Sequence, residues 1–523
     1  MSQTVINHRT AASVSATALL FAAVFAGALA LTLGLRAPSF IHHDTSEIVM
    51  WGHSGWAAGF WKHPPFLPWV SRLWFSILPM SALSLAALTA LNMTVSAWAV
   101  WRIALLTNDP TDETSTARSN RLENHQIGLT AVVLLVFLPF ASVMAIKLNH
   151  NAVLISLWPL TVLAFLRALD QPTILRGAIF GVVAALAVLA KYYSLLLLAS
   201  CIAASFAVPA RAWKFYRRPA PYAAVAAFLA AMTPHGLWML DRSASPLGYA
   251  FNAGAANPVT ATRGPAMALS FAVQTPLLLT PVLLIAWLLW RVRTNPPARP
   301  EAHRHERALI ILTVVPYLLT VVLVLFFNLR GAVAWAMPLF VCVPAIIAAR
   351  IGPIPDRWLH LMPRVALAMI IAIVIAGQIG VRIAIQRGAD GVSEPRREIA
   401  EAITTIWHAS ETSKLPIVAG DNRLTSATVI FSRDHPQGWP SFSPLQAPWI
   451  IPQAAEKSGF VAVCRPADQA CIDLGLKAAN GRATRCTLKH RVQHLGATGP
   501  WFEAAIFIVP PETSTKPPVC PPE

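Results

Sequence analysis

The sequence predicts an α-helical polytopic membrane protein with a small C-terminal α/β domain. Of the 523 residues, 55% are hydrophobic and only 12% are charged, which is more apolar surface than one soluble core needs. Residues 11–35 and 73–101 contain no charged side chain, and each is long enough to cross a hydrocarbon core of about 30 Å as a helix. After residue 384 these long apolar runs give way to alternating helical and strand patterns.

Eleven membrane spans are predicted within residues 1–384, and they form the first predicted domain. The span at 11–35 contains small residues near Ala28-Leu29-Ala30, as a secretory signal does, but its uncharged run exceeds a usual signal core. We therefore interpret it as a true span. The others lie at about 73–101, 127–146, 148–166, 174–190, 192–210, 219–240, 266–290, 308–329, 331–349 and 365–381.

Basic residues in the connections predict the orientation. With the N-terminus inside, the inner connections carry 18 Lys or Arg residues and the outer ones eight, in agreement with the positive-inside rule. Residues 174–210 leave two alternatives: one helix with Lys191 in its middle, or two helices that meet at Lys191-Tyr192-Tyr193. Two helices keep the later basic connections inside, so Lys191 is predicted to face outward. The net charge of +17 is therefore a topology signal and predicts no nucleic-acid partner.

The region 385–509 reads as a separate outer α/β domain. Its predicted elements are a helix at Glu394–Ser410, a strand at Leu415–Ala419, a helix at Asp421–Ser432 capped by Asp421, a strand at Gly459–Cys464, a helix at about 466–479 and a strand at Trp501–Val509. Residues 510–523 are rich in Pro, Thr and Ser, which predicts a disordered tail.

The cysteines divide into two groups. Cys201 and Cys342 lie in predicted spans and are interpreted as packing residues. The other four lie in the outer domain and tail, where an oxidising compartment permits one or two disulfides; they are Cys464, Cys471, Cys486 and Cys520. Four cysteines allow three pairings, and the sequence leaves the choice open.

The first outer loop, residues 36–70, carries Trp51, Trp56, Trp61 and Trp69, which predicts short helices along the membrane surface. Asp44, Glu47 and His63 are not explained by that role. If Asp44 begins a helix, Glu47 lies one turn away on the same face, and the two acids can divide the work of a base and a positioning group. The same Asp-x-x-Glu spacing fits a capping box, and spacing alone favours that alternative.

Few basic residues are predicted on the outer side. Lys191, Arg242, Arg263 and Arg330 come from four different connections, and a helical bundle can gather such residues around one anionic group. Each alone fits a side chain that snorkels to the interface. Together with the outer acids, they suggest a site for a phosphate whose tail is a lipid.

Three sequence elements resemble the bacterial GT-C glycosyltransferases of family 39, related to protein O-mannosyltransferases and the lipid A aminoarabinose transferase. The elements are Asp44 to Trp69 with Gly59-Phe60-Trp61-Lys62-His63-Pro64-Pro65, then Lys191-Tyr192-Tyr193, then Thr233-Pro234-His235-Gly236-Leu237-Trp238 continuing through Ser245-Pro246-Leu247-Gly248-Tyr249-Ala250. The resemblance covers about residues 10–350. It implies transfer of a sugar from a polyprenyl-phosphate donor to an acceptor on the outer face.

The resemblance also implies roles for individual residues. Asp44 stands at the position of the catalytic base, and His63 and Glu47 would position the acceptor or the donor head group. The donor phosphate would be bound by Lys191 first, with Arg263, Arg330, Tyr192 and Lys62 in support. One departure affects Glu47: many relatives carry Glu directly after the catalytic Asp, whereas Thr45 follows Asp44 in this sequence.

The sequence hypothesis is therefore an inverting glycosyltransferase of the bacterial inner membrane. The N-terminus would be cytoplasmic and the C-terminal domain periplasmic, with a lipid, glycan or protein as acceptor. Adjacent His42 and His43 make no metal signature and no nucleotide-binding glycine loop is present, so no cofactor is predicted, while distant GT-C enzymes leave a divalent metal open. The alternatives are a transporter or flippase of a lipid-linked substrate and an inactive GT-C scaffold.

Overall fold

A computed structural model describes residues 2–107, 119–207, 209–240, 246, 248, 263–293, 305–327 and 332–520. The chain divides into two compact units. The first unit comprises Met1–Thr32, Lys62–Pro64 and Ala86–Ile371, and the second comprises Leu33–Trp61, Pro65–Leu85 and Ala372–Glu523. This division differs from the predicted boundary at residue 384, because most of the first outer loop packs with the C-terminal residues.

Helices make up most of the described chain. In chain order they are α1 (Ser2–Gly34), α2 (His43–Ser54), α3 (Phe66–Ile77), α4 (Ala82–Thr107), α5 (Ser119–Val136), α6 (Leu154–Asp170), α7 (Ile174–Ala190), α8 (Leu195–Ser205), α9 (Pro209–Tyr216), α10 (Ala220–Leu240), α11 (Arg263–Leu277), α12 (Thr280–Val292), α13 (Glu306–Phe327), α14 (Val343–Ile351), α15 (Asp356–Gln386), α16 (Arg396–Ser410), α17 (Asn422–Phe431), α18 (Pro452–Ser458) and α19 (Gln469–Ala479).

The fold is that of a helical polytopic membrane protein with a small C-terminal sheet. Within the residues described, six helical segments are long and apolar enough to cross a membrane, or seven if Tyr192–Ser205 and Pro209–Tyr216 form one bent span. The count of eleven stays a prediction. The predicted break at Lys191 is confirmed, because α7 ends at Ala190 and a short 3-10 helix, Tyr192–Ser194, follows.

Two predicted spans are not continuous helices. After α5 ends at Val136, the chain runs in turns until α6 begins at Leu154, and residues 337–342 form turns before α14. Most of these turn residues are buried, including Phe140 and Val341. Irregular backbone is tolerated at membrane depth where protein surrounds it, and an apolar composition alone does not distinguish such a buried turn from a helix.

Helices α7 and α10 of the first unit approach each other through small residues. A Cβ added to Gly177 would lie 2.1 Å from the carbonyl oxygen of Ala220, and one added to Gly181 would lie 2.1 Å from that of Ala224. Lipid tails are as apolar as helix surfaces, so such close backbone packing is a main source of helix association in a membrane. Substitution of either glycine would force the two helices apart.

The sheet of the second unit has five strands in the order β2-β1-β3-β7-β4. Strand β1 (Ile417–Gly420) is parallel to β2 (Gln437–Pro440) and β3 (Phe460–Cys464), while β7 (Phe502–Val509) is antiparallel to β3 and to β4 (Thr484–His490). A separate hairpin joins β5 (Gln493–His494) and β6 (Ala497–Thr498). The predicted elements of this region are present, with Asp421 as the cap of α17. Strands β2 and β4, helix α18 and the hairpin are additions.

Two disulfides join the four cysteines of this region. Cys464 bonds to Cys471, and Cys486 bonds to Cys520. The tail predicted to be disordered is described up to residue 520, where the second disulfide holds it, and the backbone N–H of Glu512 donates to the carbonyl of Lys457. Cys201 and Cys342 are buried free thiols, as their predicted packing role requires.

The tryptophans of the first outer loop have different environments. Trp51 is 1% exposed and stacks on Phe60 with ring centroids 5.0 Å apart, so the predicted interfacial role is wrong for this residue. Trp69 donates from Nε1 to the carbonyl of Ala57. Trp56 is exposed and lies 5.5 Å from the guanidinium of Arg72. Position in the sequence does not separate these roles, because the tryptophans all lie in one loop.

Candidate active site

Asp44 lies in the first turn of α2 and does not cap it. The N-cap residue is His42, whose Nδ1 accepts the backbone N–H of Asp44 at 3.3 Å, and the carbonyl of His42 accepts the N–H groups of Thr45 and Ser46. The capping alternative for Asp44 is therefore wrong. Its side chain is 45% exposed, with Oδ2 3.7 Å from His42 Nδ1, and a carboxylate in the first turn is favoured by the helix dipole.

Glu47 follows one turn later on the same side of α2, as predicted, but its environment differs. It is 4% exposed, whereas Asp44 remains accessible. Thr45 and Ser46 are also buried. Only the accessible carboxylate can meet an incoming hydroxyl without rearrangement of the helix, so the geometry favours Asp44 over Glu47 as a base.

Several contacts within the second unit hold α2. Ser46 Oγ lies 2.9 Å from Ser426 Oγ in α17, and His53 donates from Nε2 to the carbonyl of His435 at 2.7 Å. Before the helix, Ser39 donates to Glu398 at 2.7 Å. Polar side chains bonded at both ends of a short helix restrict its rotation, which fixes the direction of the Asp44 side chain.

A buried ion-pair network supports the entry to α2. Arg396 donates to the carbonyl of Ile41 at 3.0 Å, the residue before the cap, and lies 2.6 Å from Glu394. Arg465 bonds to the other oxygen of Glu394 at 2.6 Å and to Asp421 at 3.1 Å. Since Asp421 caps α17, which carries Ser426, one chain of polar contacts reaches α2 from two directions.

Lys191 of the first unit is held by an amide and two aromatic rings. It is the extended residue directly after α7, and its Nζ donates to Asn151 Oδ1 at 2.5 Å. The ammonium lies 4.6 Å from the ring centroid of Trp335 and 5.8 Å from that of Tyr193. Ring faces stabilise a cation while leaving it able to bind an anion, which suits a phosphate site.

His63 stacks on His150 in the same unit, with ring centroids 3.9 Å apart. His150 donates from Nδ1 to the carbonyl of Ala190, the last residue of α7. Burial lowers the pKa of His63 well below its ordinary value, and the neighbouring His150, Lys62 and Lys191 lower it further. A neutral imidazole at this position has one nitrogen that accepts and one that donates, as recognition of a sugar hydroxyl requires.

Two elements of the sequence resemblance meet directly. The hydroxyl of Tyr192 lies 2.6 Å from Nε2 of His235, and the two rings are stacked. His235 is fully buried and also stacks on Trp238. The Lys-Tyr element after α7 and the Pro-His-x-x-Trp segment of α10 are therefore parts of one cluster, in which Tyr192 has a structural partner.

Three of the predicted outer cations have side chains outside the described residues. Arg263 is the first residue of α11, and its side chain lies outside the described residues, as do Arg242 and Arg330 entirely. Lys62 lies beside His63 and contributes its charge there. Within the parts of the chain that are described, no three His, Cys, Asp or Glu side chains converge as metal ligands.

Sequence reasoning missed three residues: His150, which stacks on His63, and Asn151 and Trp335, which contact Lys191. The first two had a usable signal, because Asn149-His150-Asn151 is a run of polar residues at the start of a predicted span, next to Lys147. Asn149 accepts the backbone N–H groups of Asn151 and Ala152 through its side chain, which shapes this turn. Trp335 had no such signal, since it lies among apolar residues of a predicted span.

One segment of the chain matches a protein family, and the chain shares its fold with two solved structures. Residues 116–238 match the family model described as dolichyl-phosphate-mannose-protein mannosyltransferase. Two crystal structures of ArnT from Cupriavidus metallidurans have the same fold. The form bound to undecaprenyl phosphate is 13% identical to this chain, with a TM-score of 0.53. The matched region covers 96% of this chain and 99% of the ArnT chain. The apo form is 14% identical with a TM-score of 0.54, covering 95% and 98%.

The family match is limited to residues 116–238, and the fold shared with ArnT extends over nearly the whole chain. This confirms the family resemblance and the polytopic helical fold with a C-terminal sheet. The sequence has no significant match among curated proteins. At 13–14% identity, the likeness to ArnT is one of fold. The matched segment 116–238 contains His150, Lys191 and His235, three members of the clusters described above.

Proposed function

We propose that this GT-C protein is an inverting membrane glycosyltransferase that uses a polyprenyl-phosphate-linked sugar as donor. The observation that carries the proposal is the Lys191 site. A cation held by Asn151 and Trp335 lies within the segment that matches a family acting on a lipid-phosphate sugar. The GT-C fold shared with ArnT, one structure of which is bound to undecaprenyl phosphate, supports the same donor class.

In the proposed reaction an acceptor hydroxyl loses its proton to the Asp44 carboxylate as its oxygen attacks the anomeric carbon. The bond between that carbon and the phosphate oxygen breaks, the configuration inverts, and polyprenyl phosphate leaves with the electron pair. Lys191 stabilises the negative charge that develops on the phosphate, assisted by Lys62, Arg263 and Arg330. His63 and Glu47 orient the sugar or the acceptor. The donor is already activated, so no cofactor enters this scheme.

The proposed side of the membrane is the periplasm. The two disulfides of the second unit support this, because such bonds persist in oxidising compartments and are rare in the bacterial cytoplasm. The excess of basic residues in the predicted inner connections supports a cytoplasmic N-terminus. The acceptor is then a lipid, glycan or protein exposed on the periplasmic face of the inner membrane.

Reconstitution of the full chain in liposomes tests this function. The assay follows radiolabel from polyprenyl-phosphate sugars to lipid, glycan and protein acceptors, with wild type beside Asp44→Asn. The matched control is Asp473→Asn, which changes an exposed acid in α19. We expect transfer by the wild type and the control, and a loss of at least about 10³-fold in Asp44→Asn, since the amide cannot accept the proton.

Full transfer by Asp44→Asn would contradict the role of Asp44 as the base but would still support the glycosyltransferase activity. Movement of labelled lipid across the bilayer without transfer to any acceptor would support a flippase instead. The anomeric configuration of the product, read by NMR, separates inversion from retention and so checks the single-displacement step.

A further inference from the structure

Two helix ends of the second unit mark one edge of the apolar region. Residues 365–381 of α15 are uncharged, and Arg382 is the next charge. Gln378 lies one turn before Arg382, about 6 Å along the helix axis. Its Nε2 donates to the carbonyls of Gly34, the last residue of α1, and of Arg36. The uncharged stretches of α1 and α15 therefore end at the same level, where a hydrocarbon core would end.

The β5–β6 hairpin is attached at this level. His494 donates from Nε2 to Gln378 Oε1 at 2.6 Å. Val492 and Ala497 form a buried cluster with Ile385 in the last turn of α15. The hairpin therefore reaches one helical turn past Arg382, toward the apolar region of α15.

The tip of the hairpin exposes apolar side chains at a conformational cost. Leu495 and Gly496 connect the strands with φ of 48° and 74°. Asn, Asp or Gly is the usual first residue of such a turn, since positive φ is unfavourable for a residue with a branched side chain. Leu495 is nevertheless present and 59% exposed, and Trp501 nearby in sequence is 56% exposed.

Basic residues accompany these apolar ones. The Arg491 guanidinium lies 4.6 Å from the ring centroid of Trp501. Lys489 pairs with Glu503 at 3.0 Å, and Arg382 and Arg387 are exposed at the end of α15, where Asp390 pairs with Arg423. Tryptophan and arginine are the side chains that favour the head-group layer of a membrane, the ring by its amphipathic shape and the guanidinium by binding phosphate.

We propose that the segment Arg491–Trp501 is a membrane-surface anchor whose partner is the anionic head group of a phospholipid. Leu495 and Trp501 enter the head-group layer, and Arg491 binds the lipid phosphate. The anchor holds the sheet of the second unit to the bilayer surface. This inference is independent of the glycosyltransferase proposal, because it uses neither Asp44 nor Lys191.

Site-directed spin labelling tests the anchor in the full chain. The two free thiols are buried and the other four cysteines are bonded, so a label added to Leu495→Cys reports that site alone. In nanodiscs that contain phosphatidylglycerol, we expect the label to collide more with oxygen than with a water-soluble nickel chelate. A label at Lys477→Cys, exposed on α19, is the control and should show the reverse. Trp501→Cys repeats the measurement if the turn is disturbed.

Lipid composition and Arg491 test the anionic partner. The label at residue 495 should lie deeper in phosphatidylglycerol than in phosphatidylcholine, and Arg491→Gln should abolish that difference. Water exposure at residues 495 and 501 equal to that at 477 would overturn the anchor. Equal depth in the two lipids, or a difference that survives Arg491→Gln, would overturn the assignment of an anionic head group.

Discussion

The surroundings of Asp44 and of Lys191 are built in different ways. Asp44 lies on a short helix that is held by charged and hydroxyl side chains, above all the buried pair of Glu394 and Arg396. Lys191 lies in a break between helices and is held by one amide and two aromatic rings. An acid supported by ion pairs depends on a network that also supports the fold. The cation is supported by one hydrogen bond and two cation–π contacts, none of which is an ion pair.

This difference separates stability from activity. Substitutions around Asp44 should reduce stability first, because removal of one partner leaves another charge buried. Substitutions around Lys191 should reduce activity first, because their main effect is on the position of one ammonium group. Four experiments test that contrast.

The largest expected effect is that of Glu394→Gln. The change leaves Arg396 without its buried carboxylate and Arg465 without one of two partners, which costs about 3–5 kcal/mol. Calorimetry should show a fall in Tm of about 6 °C or more. Glu503→Gln makes the same change in an exposed pair with Lys489 and should alter Tm by no more than about 2 °C. Equal shifts in the two variants would contradict the supporting role of the network.

Lys191→Met should reduce kcat roughly 10²- to 10³-fold, the usual loss when one group that stabilises developing negative charge is removed. Tm should change little. Lys147→Met removes an exposed lysine near the same turn and should leave kcat unchanged. A variant that unfolds instead of losing kcat would show that Lys191 belongs to the same class as Glu394.

Trp335→Leu should weaken the placement of Lys191 by about 1 kcal/mol, or roughly fivefold in kcat/KM, through loss of the cation–π contact. Trp287→Leu, which removes a comparable contact with Arg291, is the control. If both variants lose activity equally, the effect comes from general packing.

The smallest expected effect is the contribution of His63 to the pH dependence of stability. Its folded pKa is lowered, first by burial, so the unfolded chain binds more protons as pH falls below about 6.5, and stability falls with it. The difference in Tm between pH 7.5 and 5.5 should be smaller in His63→Gln than in the wild type. Lys191→Met should also reduce it, because Lys191 is one cause of the shift. The same difference in all three proteins would argue against a neutral, buried His63.

In the membrane region, helix ends were predictable where charged residues lie next to them. The break at Lys191 followed from the distribution of basic residues, and the structure places a helix end there. The buried turns at residues 137–146 were not predictable, because their apolar composition is compatible with a helix. The cap of α2 was missed for another reason: histidine is not among the usual capping residues, so Asp44 was the better candidate by residue type.

In the C-terminal domain, too, some elements were predictable from the sequence and others were not. Asp421 was recognised as a helix cap because its type and position agree, and Phe460–Cys464 was recognised by its apolar run. Strand β4 was missed because it contains only two apolar residues, Cys486 and Leu488, and the others are Thr, Arg, Lys and His. The ion pairs of Glu394 connect residues distant in sequence, and no spacing rule anticipates them.

The close packing of α7 against α10 has a consequence for the Tyr192 cluster. Gly177 and Ala220, Gly181 and Ala224, and Tyr192 and His235 are each separated by 43 residues in sequence. Helices α7 and α10 therefore run parallel where the glycines touch, and the Tyr192–His235 contact follows just beyond the end of α7. A single-residue deletion in α10 between Ala224 and His235 would turn the histidine by about 100° while leaving the glycine contacts intact. The number of residues between Ala224 and His235 therefore matters as much as the residue types at the contacts.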